Sequence, residues 1–227
     1  MKKNLIAIMA IGVFMFGMLS TVEAATIGWT DWTSKTAGNP GSAAGTITLP
    51  DGKSVNVSYT GELFNAGDQG NWNQYETTYT KPGVVDNLPN QNLVSIQLKG
   101  GNAILNTITF STPLVNPVMA IQSLGSGDTA KYSFNQSFEI LKQGKGHWGG
   151  GVTSLSQSGN NLIGNEGNGI IQFTGTYSSI SWTVPDGENY HMFTVGAPSA
   201  AVPVPAAIWL LGSGLAGLIV TKRRAKK

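Results

Sequence analysis

The sequence predicts an all-β fold: a single β-sandwich of jelly-roll or Ig-like kind, with about ten strands, lying between two apolar terminal segments. Three observations predict it. Gly, Ser, Thr and Asn dominate the central segment, and strong helix formers are sparse there. Short runs rich in Val, Ile, Thr and aromatic residues recur between Gly, Pro, Asn and Asp turn signals, the pattern of half-buried strands. No apolar periodicity of 3.6 residues competes with it. There is no cysteine, so disulfides contribute nothing and a core must hold the fold; about 180 residues suffice for one.

In chain order, Thr46–Leu49 and Ser54–Tyr59 flank Pro50-Asp51-Gly52-Lys53, a hairpin signal. Val94–Leu98 alternates and ends at Gly100-Gly101-Asn102. Thr107–Phe110 leads through Pro113 and Pro117 to Val118–Leu124. Tyr132–Leu141 alternates with a break at Asn135-Gln136. Thr153–Ser156 and Leu162-Ile163 are joined by Ser158-Gly159-Asn160-Asn161. Ile170–Phe173, Ile180–Val184 and Met192–Val195 close the domain, the last two joined across Pro185-Asp186-Gly187. Trp29, Trp32 and Trp182 sit in β-rich runs and are expected in the core or on strand faces. No repeat of 20–50 residues is visible.

Both ends carry targeting chemistry. Met1-Lys2-Lys3 followed by apolar Leu5–Leu19, with small residues at Val22-Glu23-Ala24, has the layout of a signal peptide over residues 1–24, cut after Ala24 or Ala25. The sandwich is then expected over 25–196 and a linker over 197–202. Val202-Pro203-Val204-Pro205 is extended, because each proline fixes its own φ and restricts the valine before it. Residues 206–221 carry no charge and predict one short transmembrane helix; Lys222, Arg223, Arg224, Lys226 and Lys227 form a basic tail that stays cytoplasmic.

These three ordered parts, a Pro-Val-Pro-Ala-Ala element, the helix Trp209-Leu210-Leu211-Gly212-Ser213-Gly214-Leu215-Ala216-Gly217-Leu218 and an Arg-rich end, resemble the PEP-CTERM sorting signal in its VPLPA variant. Val204 stands where the eponymous form has Glu. The resemblance implies an exported protein of a Gram-negative, exopolysaccharide-making bacterium. It implies an inner-membrane-anchored precursor, cut by an exosortase-type protease near residues 203–205, whose product reaches the cell surface or extracellular matrix. The central runs Asn106–Phe110, Asn165–Phe173 and Ile180–Val184 also resemble ectodomains attached to such signals, which carry no assigned activity.

Removing both ends changes the charge. The segment between them keeps seven lysines, no arginine and eleven acids, a net charge of −4. The basic isoelectric point of the whole chain therefore reports topology and gives no support for nucleic-acid binding. No catalytic constellation is visible: there is no Cys nucleophile, Gly-x-Ser-x-Gly elbow or phosphate loop. His147 and His191, the only histidines, lack zinc spacing, so no metal or cofactor is expected. Asp68-Gln69-Gly70-Asn71 and Asp186-Gly187-Glu188 have oxygen ligands that suit calcium, but they are ordinary turn residues and read as turns in preference. Glu62, Glu76, Glu139, Glu166 and Glu188 could supply a glycosidase pair, with nothing to single out two.

The aromatics say more. Trp72, Tyr75 and Tyr79 lie in a polar stretch, and His147-Trp148 is set among glycines. Rings with polar neighbours on loops suit a sugar: an apolar face to stack a pyranose, with hydrogen bonders around it. The same rings could instead cap the core. The expected function is a non-catalytic, polysaccharide-associated surface protein. A secreted carbohydrate-active enzyme and a purely structural matrix protein are the alternatives.

Overall fold

The computed structural model describes residues 25–65, 70–90 and 95–199. The expected signal peptide, Ala24, the Val202–Pro205 element, the helix 206–221 and the tail with Arg223 and Arg224 lie outside the described residues. Among the described residues, no helix is long and apolar enough to cross a membrane.

The fold is all-β. Its strands are β1 (Ile27–Thr36), β2 (Gly38–Thr48), β3 (Ser54–Leu63), β4 (Ile96–Leu98), β5 (Asn106–Val115), β6 (Val118–Leu124), β7 (Ala130–Phe134), β8 (Glu139–Gln143), β9 (Lys145–Gly146), β10 (Gly149–Gly150), β11 (Leu155–Ser158), β12 (Asn161–Gly164), β13 (Gly167–Gln172), β14 (Thr176–Thr183) and β15 (His191–Pro198). Thirteen of them form one antiparallel sheet in the order β11-β12-β7-β14-β5-β3-β2-β1-β15-β6-β13-β8, with β4 beside β15. The sheet bends back until its two ends meet. There, the Gln143 side chain of β8 donates Nε2–H to Leu155 O (3.0 Å) and accepts Leu155 N–H at Oε1 (2.7 Å) of β11. A side-chain amide thus supplies the rung that backbone pairing leaves out, and the last edge is nearly closed.

β1 turns the corner on the other side. Ile27, Gly28 and Trp29 pair with β15, whereas Thr30 to Thr36 pair with β2. One wall is therefore β1–β15–β6–β13–β8 with β4; the facing wall runs from β1 through β2, β3, β5, β14, β7 and β12 to β11. The alternation in β3 shows why this wall has one wet face: Val55, Val57 and Tyr59 point into the core while Ser54, Asn56, Ser58 and Thr60 point out. Between the walls Trp182 is fully buried, its ring 5.1 Å from Phe193 and 5.7 Å from Tyr132 and Phe134. A ring of this size removes about 150–250 Å², or roughly 4–6 kcal/mol of transfer free energy.

At its centre, along β15, β6 and β13, the first wall is buried on both faces. Every residue of β6 is buried, because residues 70–90 cover its outer side with a second small core of Trp72, Tyr79 and Val85 packed on Ile27, Trp29, Val118, Ala120 and Ile170. Asn87 ties this cover to the chain start: its Oδ1 accepts Ile27 N–H (2.6 Å) and its Nδ2 donates to Ile27 O (2.9 Å).

The expected hairpin at Pro50-Asp51-Gly52-Lys53 forms, closed by Gly52 N–H on Leu49 O (2.8 Å). The expected single run Tyr132–Leu141 is two strands that belong to opposite walls, broken at Asn135-Gln136. β14 and β15 are consecutive but not paired, since Pro185–Tyr190 carries the chain between walls. The last strand runs to Pro198, into the expected linker.

Candidate functional site

The site is built from the first wall outward. β6 and β13 pair with an irregularity: Gly167 opposes Leu124 and Gly169 opposes Ile121, leaving Asn168 against both Gln122 and Ser123. Such a bulge bends the strand and re-aims its side chains. Two non-glycine residues beside it hold left-handed backbone, Ser123 (φ 59°) and Glu166 (φ 49°). Their side chains join, Ser123 Oγ donating to Glu166 Oε2 at 2.6 Å.

Asn168, fully buried, holds this arrangement. Its Oδ1 accepts Ser123 N–H (2.9 Å) and the Tyr79 hydroxyl (3.2 Å). Its Nδ2 donates to Glu166 O (2.6 Å) and Gly149 O (3.3 Å). One side-chain amide thereby binds the bulge, the covering segment and the small hairpin β9–β10. The hairpin is glycine-rich for a steric reason. A Cβ on Gly146 would lie 2.1 Å from Asn168 Oδ1, and Gly150 sits at φ 79° with its would-be Cβ 2.2 Å from Glu166 O.

His147 and Trp148 are the tip of that hairpin. Trp148 is 41 % exposed, one of the few large apolar side chains in solvent. Its ring stands edge-on to Tyr190, at 5.2 Å and 90°, and to His147, at 4.6 Å and 88°. His147 Nδ1 bonds Gln74 Oε1, and Lys145 Nζ lies 5.8 Å over the Tyr75 ring. Tyr190 is fixed from both sides. Glu188 Oε1 accepts Gly125 N–H (2.8 Å) and lies 2.7 Å from Nδ1 of the fully buried His191; Asn189 Nδ2 donates to Ser126 Oγ (3.2 Å).

The sequence expectations divide here. Tyr75, His147 and Trp148 do gather at one surface. Trp72 and Tyr79 do not join them: both are fully buried, packed edge-to-face at 4.9 Å, and the expectation that they stack a sugar is corrected. The physical reason is that β6 and β13 are apolar on their outer side and need cover, which these two rings supply. Tyr190, Gln74 and Asn168 were not singled out from the sequence. No local signal marks Tyr190 or Gln74, because their role depends on a hairpin more than forty residues away. Asn168-Gly169, a turn-like pair inside a β-rich run, was the one visible hint of the bulge.

Three of the acids considered for glycosidase chemistry are engaged as acceptors. Glu62 receives Lys99 N–H and Gly100 N–H (3.1 and 2.8 Å), and Glu166 and Glu188 are bonded as above. Among the described residues, no group of three or more His, Cys, Asp or Glu side chains could hold a metal ion. Asp68 and Gln69 lie outside the described residues, and Asp186 faces Lys131 at 3.8 Å. Comparison with protein-family models, with curated proteins and with solved structures finds no match.

Proposed function

We propose that this chain is an exported surface or matrix protein whose β domain holds extracellular polysaccharide without turning it over. The observation that carries this reading is the aromatic corner. Trp148 presents a partly exposed indole against Tyr190, with Gln74, His147 and Asn189 nearby, on backbone that Asn168 keeps in place. An indole face stacks the apolar face of a pyranose, and the polar neighbours take its hydroxyls. Rigid support matters, since ordering a loose loop would be subtracted from affinity.

The terminal segments supply the address in the same proposal. Residues 1–24 export the chain. The helix 206–221 and the cations after it hold the precursor in the inner membrane until an exosortase-type protease cuts near Val202–Pro205. The finer fold assignment, a jelly-roll or Ig-like sandwich, belongs here too; two facing walls that share β1 support it.

The test is affinity electrophoresis of the full-length chain in gels containing extracellular polysaccharide of its host. Trp148→Ala and Tyr190→Ala should each weaken binding roughly 2–12-fold, the equivalent of about 0.5–1.5 kcal/mol of ring contact, at unchanged melting temperature. Trp72→Ala is the control and should instead destabilise the fold by roughly 3–5 kcal/mol. Release of shortened sugars by the wild type would make it a carbohydrate-active enzyme and overturn the reading. An intact basic tail on the surface-located protein, seen by mass spectrometry, would reduce the C-terminus to a plain tail anchor.

A further inference from the structure

The outer face of the second wall is unlike an ordinary protein surface. The four adjacent strands β2, β3, β5 and β14 contain one charged residue in all, Glu62, and it is buried. Apart from Pro40, Ala44 and Pro113, the exposed side chains they present outward are hydroxyls and amides. The antiparallel register sets these groups in rows across the strands. Ser42 opposes Thr60, Thr60 opposes Thr107 and Thr107 opposes Ser181. The next row passes from Ala44 through Ser58 and Thr109 to Ser179. Thr107 Oγ1 and Ser181 Oγ touch at 3.1 Å. At Ala44 the row dips, since alanine is the shortest side chain in it and β1 bulges alongside between Trp32 and Ser34. The result is a shallow groove of about 480 Å³, bordered by Thr33, Thr46, Asn56, Ser58, Thr109 and Ser111.

The chemistry of this face selects its partner. Nucleic acid requires cations, and the groove has none. A protein partner requires an apolar centre, and the exposed large hydrophobics among the described residues, Phe64, Leu105, Trp148 and Val152, all lie outside the groove. A neutral, hydroxyl-dense polymer exchanges its water for these side chains, and the groove's own lining carries no charge to desolvate; the exposed carboxylate of Asp31, across from Thr46 on β1, stands beside it. We infer that the groove is a track for a single uncharged polysaccharide chain lying across the strands. Twist of about 20–25° between neighbouring strands curves each row, so a flexible chain can follow four strands whereas a flat crystalline surface meets only part of them.

This inference rests on the polysaccharide-binding reading but concerns a different face, so the two can fail separately. The full-length chain is run in native gels containing hydroxyethyl cellulose, dextran or carboxymethyl cellulose, and is also mixed with microcrystalline cellulose. The expected result is retardation by at least one of the two neutral polymers, exceeding that by carboxymethyl cellulose, with little capture by the crystalline solid. Ala44→Lys and Ser58→Glu, which fill and charge the groove, should each weaken that retardation at least threefold with unchanged melting temperature. Ser111→Lys, on a neighbouring strand, serves should either variant fail to fold. Wild-type binding by these variants, with loss in Trp148→Ala, overturns the track and leaves the aromatic corner standing. Loss in the groove variants with none in Trp148→Ala upholds the track and removes the corner. Capture by crystalline cellulose without retardation by soluble chains, or no interaction with either neutral polymer, overturns the inference.

Discussion

Replacing Asn168 by alanine should be among the most damaging single changes outside the aromatic core, and the structure says how damaging. Four hydrogen bonds vanish together. The Ser123 N–H and the Tyr79 hydroxyl lose their acceptor in buried surroundings, at roughly 1–3 kcal/mol each. The Glu166 and Gly149 carbonyls are part-buried and lose a donor more cheaply. The two buried losses alone come to about 2–6 kcal/mol, a large share of the 5–15 kcal/mol typical of a folded domain. Gly146 sharpens the test. A Cβ there would lie 2.1 Å from Asn168 Oδ1 and 2.2 Å from Cγ, so Gly146→Ala alone overpacks and should cost about 1–3 kcal/mol. In the double variant the new methyl enters space the amide has left. The two changes should therefore be non-additive, the double variant being at least about 1 kcal/mol more stable than the sum predicts. Guanidinium unfolding of the four proteins, followed by far-ultraviolet circular dichroism, measures the cycle. Additivity within about 0.5 kcal/mol, or a loss below about 1 kcal/mol for Asn168→Ala, would refute the hub.

Two further predictions concern charge. Burial pushes the phenols of Tyr59, Tyr79 and Tyr132 well above the ordinary tyrosine range, with the Glu62 carboxylate adding to the shift of Tyr59 and the Glu188 carboxylate to that of Tyr132. A group whose folded pKa is raised stabilises fully below its unfolded pKa, about 10 for tyrosine, and that stability is lost as pH rises through the folded value. Stability should thus fall above about pH 10. In an absorbance titration the phenolate signal of these three tyrosines should appear together with unfolding; their smooth ionisation in a still-folded protein would contradict the assigned burial. At the other end, Ala25 N lies 2.6 Å from Asp86 Oδ2. If the signal peptide is cut after Ala24, that nitrogen becomes an ammonium, and Asp86→Asn should destabilise a chain starting at Ala25 more than one starting at Met1. Equal losses in thermal melts would show that the contact gains nothing from processing.

The all-β class was legible in the sequence because the second wall alternates. Val55-Asn56-Val57-Ser58-Tyr59 is inward-outward by inspection, and the structure keeps that phase. The first wall was harder. Val118–Leu124 and Gly167–Gln172 are buried on both sides, so alternation carries no information about which side faces the centre. The cover over them could not be found from its own residues. Trp72 and Tyr79 stand among Asn, Gln and Thr, where composition suggests a wet loop. Only the apolar back of β6 and β13, which would be wet without it, makes that segment a cover.

The same logic separates the two rings that looked alike in the sequence. Trp72 and Trp148 both follow a polar, glycine-containing stretch. The difference lies in what each meets across the fold. Trp72 lands on Val118, Ala120 and Ile170, an apolar patch that would otherwise be wet, and is withdrawn from solvent. Trp148 sits on a hairpin whose floor is already satisfied by Asn168, so its ring has no apolar surface left to cover except Tyr190. Trp148 stays 41 % exposed on a hairpin tied to Asn168 through Gly149 O, with Tyr190 and His147 set edge-on against its ring. A single exposed ring is common on protein surfaces, so the proposed stack rests on the binding test: Trp148→Ala should weaken polysaccharide binding at unchanged melting temperature, and unchanged binding would leave the ring an incidental surface residue.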